Sequence, residues 1–98
     1  MAKKTYQSTD GTSFQGVVIR ATVNQLISAF GDPSMEYNTG EDKVNFEWDM
    51  ETDEGEVFAI YDWKYYRPLS SDEIVTWNIG AMSKSVSNDA ERELLKAL

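Results

Sequence analysis

Cysteine and histidine are both absent from this 98-residue chain. Without cysteine there is no disulfide, no thiolate nucleophile and no zinc-thiolate site, so stability has to come from packing. Without histidine the usual general base is missing, and an enzyme would have to use carboxylates, lysine, tyrosine or serine. The phosphate-binding patterns G-x-x-x-x-G-K-[ST] and G-x-G-x-x-G are absent too, which excludes motif-based nucleotide folds. We therefore expect a protein that is not an enzyme and has no cofactor and no metal.

Positive charge is also scarce, with 9 lysines and arginines against 17 acids and a formal net charge of -8. Charge of this sign repels nucleic acids and anionic membranes, which argues against direct binding to either. No apolar run is long enough for a signal sequence or a membrane span. We expect a soluble, cytosolic protein.

The acids are concentrated in one region. Nine of them lie between residues 36 and 56, where Lys43 is the only base. Two interpretations stay open: a solvated strand face and turn that keep the protein soluble, or an acidic surface for a basic partner.

The clearest local signal is a helix over residues 22–30. Thr22, followed three residues later by Gln25, fits a capping box. Gly31 and Pro33 provide the end of the helix. Its apolar stripe, at the spacing i, i+3, i+4 and i+7, comprises Val23, Leu26, Ile27 and Phe30.

Four segments have the composition or the alternation of β-strands. They are residues 14–19, with Gly16 as an expected bulge, residues 44–50, residues 57–66, which end before Pro68, and residues 75–79. The short connection at 52–55 predicts an antiparallel hairpin between the middle two. In the strands at 44–50 and 75–79, alternation with polar neighbours favours the core over a ligand pocket for Trp48 and Trp77.

A second helix is predicted near the C-terminal end, where Asn88 precedes Glu91 by three residues as a cap would. Its apolar stripe is Ala90, Leu94, Leu95 and Leu98. The order β-α-β-β-β-α predicts an α+β fold, an antiparallel β-meander with one helix packed on a face and a C-terminal helix. Residues 1–98 should form a single domain, with residues 1–10 as a flexible arm.

Residues 60–66 crowd four aromatic rings, one acid and one base into what should be one strand. A strand that buries one face alternates apolar with polar residues, whereas here both parities carry large apolar side chains. Either both faces are covered or the additional rings bind something. A subunit interface or the C-terminal helix would be the usual cover for a second face.

The same region contains what a small nucleotide requires: rings to stack on a base, cations and hydroxyls for phosphate, and an acid for a base edge. The candidate ligand-binding residues are Thr12, Ser13, Tyr61, Asp62, Trp63, Lys64, Tyr65 and Arg67. Asp62 and Lys64 share strand parity, about 7 Å apart, and a cross-strand salt bridge or ligand contact is favoured over a catalytic pair. Core rings with polar surface groups remain the competing interpretation.

Five short motifs resemble a recurring pattern of a widespread family of small phage-encoded proteins. They are Gly11-Thr12-Ser13, Phe30-Gly31-Asp32-Pro33, Lys43-Val44 with Glu47-Trp48, Ile60 to Lys64, and Trp77-Asn78-Ile79-Gly80. Together they span residues 11–80. Ala81 follows Gly80 where the family commonly has a second glycine, a difference that weakens the expectation of a backbone contact with phosphate there.

Small phage proteins of this size often counter host defence, and this chain is similar in compactness to sponges that sequester the cyclic nucleotide signals of CBASS-type immunity. The resemblance implies a viral immune-evasion protein of the host cytoplasm, a dimer or tetramer that binds a cyclic nucleotide between subunits without cleaving it. The resemblance assigns no ligand residue; under the nucleotide-binding hypothesis, the residue types predict that Tyr61 and Trp63 stack on a base, while Lys64 and Thr12 contact phosphate.

Two other functions stay open. One is an acidic protein inhibitor or nucleic-acid mimic, whose region 36–56 occupies a basic groove of a host defence enzyme. The other is a virion or assembly protein. A strongly salt-dependent interaction with a basic host protein would favour mimicry, whereas tight binding of a dinucleotide by an oligomer would favour the sponge.

Overall fold

A six-stranded antiparallel sheet and two helices make up the fold, in a computed structural model that describes all of residues 1–98. The elements in chain order are β1 (Lys3–Lys4), β2 (Ser13–Ala21), α1 (Val23–Phe30), β3 (Met35–Glu36), β4 (Phe46–Glu51), β5 (Val57–Tyr61), β6 (Val75–Ala81) and α2 (Lys84–Ala97). The sheet order is β1-β4-β5-β6-β2, and β3 also pairs with β4. The predicted α+β class and the meander through β4, β5 and β6 are confirmed.

The sequence does not predict β1 and β3, because two residues are too few to show an alternation. Both pair with the outer side of β4. β1 lies opposite Met50 and Glu51, and β3 lies opposite Phe46 and Glu47. The chain therefore covers one edge of its own sheet, whereas β2 forms the opposite edge.

Helix α1 begins and ends at the predicted residues. The Thr22 hydroxyl accepts a hydrogen bond from the Gln25 amide at 3.0 Å, and the Gln25 side chain accepts one from the Thr22 amide at 2.8 Å. At the other end Gly31, with φ of 84°, donates its amide hydrogen to Ile27. The capping box and the glycine stop are confirmed.

The predicted bulge in β2 is confirmed as well. The pairing of β2 with β6 shifts register between Phe14 and Val18, and Gly16 lies in that shift with φ of 88°. A side chain at this φ would be strained, so the glycine permits the bulge.

Both helices lie on the same face of the sheet. Leu26 of α1 and Leu94 of α2 are fully buried in one core cluster with the inward residues of β2, β4, β5 and β6. The helices are neighbours, since Ala29 and Ala97 line the same surface depression. The C-terminal helix therefore does not cover the second face, which we call the open face.

Two tryptophans form the centre of this core. Trp48 and Trp77 are fully buried, and their rings meet edge to face with centroids 5.5 Å apart. Each indole N–H donates to a carbonyl group, Trp48 to Gly31 at 3.0 Å and Trp77 to Ala21 at 2.9 Å. The sequence-based placement of both residues in the core is confirmed.

Residues 1–10 lie against the sheet, where the sequence predicts a flexible arm. Ala2 and Thr5 are buried on either side of β1, and the Thr9 hydroxyl donates to the Asp49 carboxylate at 3.4 Å. The segment that follows β1 then crosses the open face to reach β2. The sequence does not indicate this pairing, because edge pairing of a backbone needs no hydrophobic pattern.

Helix α2 begins one turn earlier than predicted. Ser83, not Asn88, is the cap, and its hydroxyl accepts a hydrogen bond from the Val86 amide at 3.2 Å. Of the predicted stripe, Ala90 and Leu94 are buried, but Leu95 and Leu98 remain exposed. Neither helix is long and apolar enough to cross a lipid bilayer.

We expect Trp77→Phe to lower the free energy of unfolding by about 2–4 kcal/mol, because it leaves a cavity and an unpaired carbonyl at Ala21. Unfolding in urea, monitored by circular dichroism, measures this loss. Trp63→Phe is the matched control, since Trp63 is 44% exposed. Equal losses in both variants would contradict the assignment of Trp77 to the core.

Candidate functional site

Strand β5 ends at Tyr61, five residues before the predicted end at Tyr66. Asp62 points into the protein and is fully buried, while Lys64 and Tyr66 have φ of 59° and 52°. Positive φ at two residues that are not glycine is incompatible with an extended strand. The strand prediction for 62–66 is therefore wrong, and so is the placement of Asp62 and Lys64 on one strand face.

The buried carboxylate of Asp62 has internal partners. It accepts hydrogen bonds from the amides of Asn45 and Phe46, both at 2.8 Å, and from the Asn45 side chain at 3.1 Å. A charge-assisted bond of this kind contributes about 1.5–3 kcal/mol, and a buried carboxylate without partners would be strongly unfavourable. Asp62 ties the start of β4 to the end of β5, and its carboxylate faces the protein interior.

Tyr65 and Arg67 also have partners within the chain. The Tyr65 hydroxyl accepts a hydrogen bond from the Thr76 amide at 3.0 Å, where β5 no longer pairs with β6. The Arg67 guanidinium lies 5.4 Å from the centre of the Tyr65 ring and forms two bonds to Glu73, at 2.7 and 3.0 Å. This pair lowers the pKa of Glu73. Tyr65 and Arg67, both predicted ligand residues, therefore bind other residues of the chain and do not contact Trp63.

Trp63 is the centre of a different group. Its ring is 44% exposed and meets Tyr61 edge to face with centroids 6.0 Å apart. The ammonium groups of Lys64 and Lys43 lie 5.6 and 5.8 Å from its centre. Neither lysine forms an ion pair. We call Lys43, Tyr61, Trp63 and Lys64 the Trp63 cluster.

Sequence reasoning missed Lys43, which is 20 residues from Trp63 along the chain. The two segments meet because the Lys64 amide donates to the Lys43 carbonyl at 2.8 Å. The sequence contained one signal for this residue, since Lys43 is the only base in the acidic region 36–56.

Thr12 and Ser13 lie at the start of β2, beside the other side of Tyr61. A Cβ atom on Gly80 would be 3.2 Å from the Tyr61 ring and 3.6 Å from the Thr12 hydroxyl, so both side chains lie close to this glycine. The Thr12 hydroxyl donates to the Thr9 carbonyl at 2.8 Å, and its hydrogen is therefore already used. Ser13 is exposed and accepts a bond from Gln15.

The Trp63 cluster is a platform and not a cavity. Three surface depressions are present, one between the ends of α1 and α2, one beside Tyr6 and Pro33, and one lined by Tyr37 and Asp42. None includes a residue of the cluster. An exposed ring with two cations suits a planar anionic molecule that stacks from solution.

Glu47 of β4 is the cross-strand partner of Tyr61 in β5, and its side chain lies on the open face. Burial of its carboxyl group raises its pKa from 4.5 to about 7, assisted by the hydrogen bond and the charge of Asp49. Below pH 7 this neighbour of the cluster is mostly uncharged.

Comparison of the chain with models of known protein families gives no match, and neither does comparison with the sequences of characterised proteins. The resemblance to small phage proteins consequently stays a prediction. The geometry of the Trp63 cluster is the basis for a functional proposal.

We expect Asp62→Asn to lower the free energy of unfolding by about 2–4 kcal/mol, because asparagine loses the charge and turns an amide group toward N–H donors. Hydrogen exchange of the Asn45 and Phe46 amides should accelerate. Asp10→Asn, at an exposed turn, is the control. Slow exchange retained at both amides in Asp62→Asn would contradict the role of this carboxylate.

The free energy of unfolding should fall as the pH rises from 4.5 to about 7, because the folded state holds the Glu47 proton more tightly than the unfolded chain does. Glu47→Gln removes this titration and should stabilise the protein above pH 7 by about 1 kcal/mol, a value discounted for solvent screening. Urea denaturation over a pH series measures it. Glu51→Gln on the same strand is the control, and an unchanged profile in Glu47→Gln would contradict the prediction.

Proposed function

We propose that this chain binds a small nucleotide second messenger, such as a cyclic nucleotide, and withholds it without cleaving it. The observation that carries the proposal is the Trp63 cluster, a half-exposed indole with two ammonium groups within 6 Å of its centre and no carboxylate paired to either. The setting that the sequence resemblance implies is viral immune evasion in the host cytoplasm.

Each part of the cluster corresponds to one part of a nucleotide. Stacking of a base on an exposed aromatic ring contributes about 1–3 kcal/mol and needs no particular base sequence. Trp63 provides the exposed ring, and Tyr61 supports it from the side at 6.0 Å. Lys43 and Lys64 are point charges on flexible stems that suit phosphate oxygens.

The positive charge of Lys43 and Lys64 also supports an anionic nucleotide as the ligand. In a chain with a net charge of -8, two cations beside one ring attract an anion locally although the whole protein repels anions at long range. Lys64 is also held at positive φ, a conformation that costs about 1–2 kcal/mol in a residue other than glycine. Such strain is concentrated at functional sites and supports a ligand contact at this position.

The alternative, an acidic inhibitor that mimics nucleic acid, has one favourable observation. Glu47, Asp49 and Glu51 lie at alternate positions of β4 on the open face, about 7 Å apart along the strand. The raised pKa of Glu47, about 7, reduces the charge of this row at neutral pH. Mimicry also leaves the exposed Trp63 ring and its two lysines without a role, so the nucleotide-binding proposal is preferred.

The test is a binding screen with cyclic di- and trinucleotides at physiological salt, by thermal shift and native mass spectrometry. A ligand at 100 times its Kd stabilises a protein by about 2.7 kcal/mol, which shifts the Tm of a small domain by several degrees. The ligand should be recovered intact after denaturation. If no nucleotide in the panel binds or shifts the Tm, and a basic host protein is captured in a salt-sensitive way, the proposal is overturned in favour of mimicry.

Variants then locate the site. Trp63→Ala should abolish binding without unfolding the protein, and Lys43→Ala or Lys64→Ala should each weaken binding about tenfold and reduce its salt dependence. Tyr6→Ala, with a ring 99% exposed, controls for loss of a surface aromatic residue, and Lys96→Ala controls for loss of a lysine. Binding that persists in Trp63→Ala would refute this assignment.

A further inference from the structure

The two edges of the sheet differ in how they are protected. β1 and β3 cover the outer side of β4, whereas no strand pairs with the outer side of β2. An edge strand exposes unpaired N–H and C=O groups that can pair with another chain. Natural proteins usually block such an edge with charges, bulges or a covering segment.

The first half of β2 has such protection. Gly16 forms the bulge there, and the Lys84 ammonium group donates to the Gln15 carbonyl at 3.0 Å. The second half, residues 17–21, contains a single charge, Arg20, and from Val18 to Ala21 it pairs in continuous register with β6. Its remaining residues are small or β-branched and favour strand pairing. This half is a free edge of five residues.

The charge distribution indicates which chain pairs with this edge. Between Asp10 and Asp32 there is no acid, and this is the longest acid-free stretch of a chain that contains 17 acids. Two copies with a net charge of -8 each repel one another over most of their surface. β2 is where that repulsion is least, and an antiparallel pair of identical strands is self-complementary about a two-fold axis.

We propose that residues 17–21 of β2 pair with the same residues of a second copy, so that two sheets join into one continuous antiparallel sheet. Val18, which is 39% exposed, and Arg20 project from this edge on the open face. A pairing of five residues from each copy belongs to the small interfaces, below about 1,200 Å² in total. The dimer should therefore be weak and dependent on concentration.

This inference does not rest on the proposed nucleotide binding, because the assay needs no ligand. It specifies which surface would form the homo-oligomer that the sequence resemblance implies. The two-fold axis of such a pair is perpendicular to the sheet, so the Trp63 clusters of both copies would face the same side.

Size-exclusion chromatography with light scattering, over a range of concentrations, tests the dimer. The wild type should approach twice the 11.1 kDa chain mass. The variant V18E/R20E places acids opposite acids and should weaken association about tenfold or more. Q7E/K96E makes the same change in net charge away from β2 and should dimerise as the wild type does, since Gln7 is exposed beside the opposite edge strand β1 and Lys96 is exposed on α2.

A complementary pair of variants shows whether a loss of dimer comes from the altered edge or from misfolding. V18K leaves two bases at the edge and should also be monomeric, but a mixture of V18K with V18E/R20E should form a heterodimer. A wild type that stays monomeric at the concentrations used for NMR spectroscopy would overturn the proposal. A dimer that V18E/R20E leaves intact, or that Trp63→Ala abolishes, would overturn it too and assign the interface to another surface.

Discussion

The buried carboxylate of Asp62 is the interaction on which the candidate site depends. By accepting three hydrogen bonds from Asn45 and Phe46, it ties the start of β4 to the end of β5. The same tie turns Trp63 outward and brings Lys43 to its ring. A cation–π contact at an exposed ring contributes about 0.5–1 kcal/mol, too little to order two segments. Three charge-assisted bonds at about 1.5–3 kcal/mol each are enough.

The two faces of the sheet have different roles for a physical reason. Both helices pack on one face around Trp48 and Trp77, so that face is fully desolvated. On the open face, the segment after β1 passes over Asp49 and Gly80, while Trp63, beyond the end of β5, stays 44% exposed. A half-exposed aromatic ring gains little from burial in the fold, and its area remains available for a partner.

The helix cap, the helix end and the strand bulge were predicted correctly because each depends on interactions between residues close together in the sequence. A capping box, a glycine stop and a bulge glycine each act within a few residues, and Thr22, Gly31 and Gly16 have the predicted roles. The end of β5 was misread because composition favours a strand through Tyr66, and only the distant partners of Asp62 show why the chain turns inward. Edge pairing of the first residues was missed for the same reason, since its partner is β4.

Periodicity and capping are encoded by neighbouring residues, and they were sufficient to predict the α+β class, the first helix, the meander and the core position of the two tryptophans. Tyr61, Trp63 and Lys64, which the sequence grouped by their spacing, lie next to one another in the structure. The internal partners of Asp62, Tyr65 and Arg67, and the position of Lys43 beside Trp63, became known from the folded chain alone. Those assignments depend on hydrogen bonds and contacts between segments far apart in sequence, which no local pattern records.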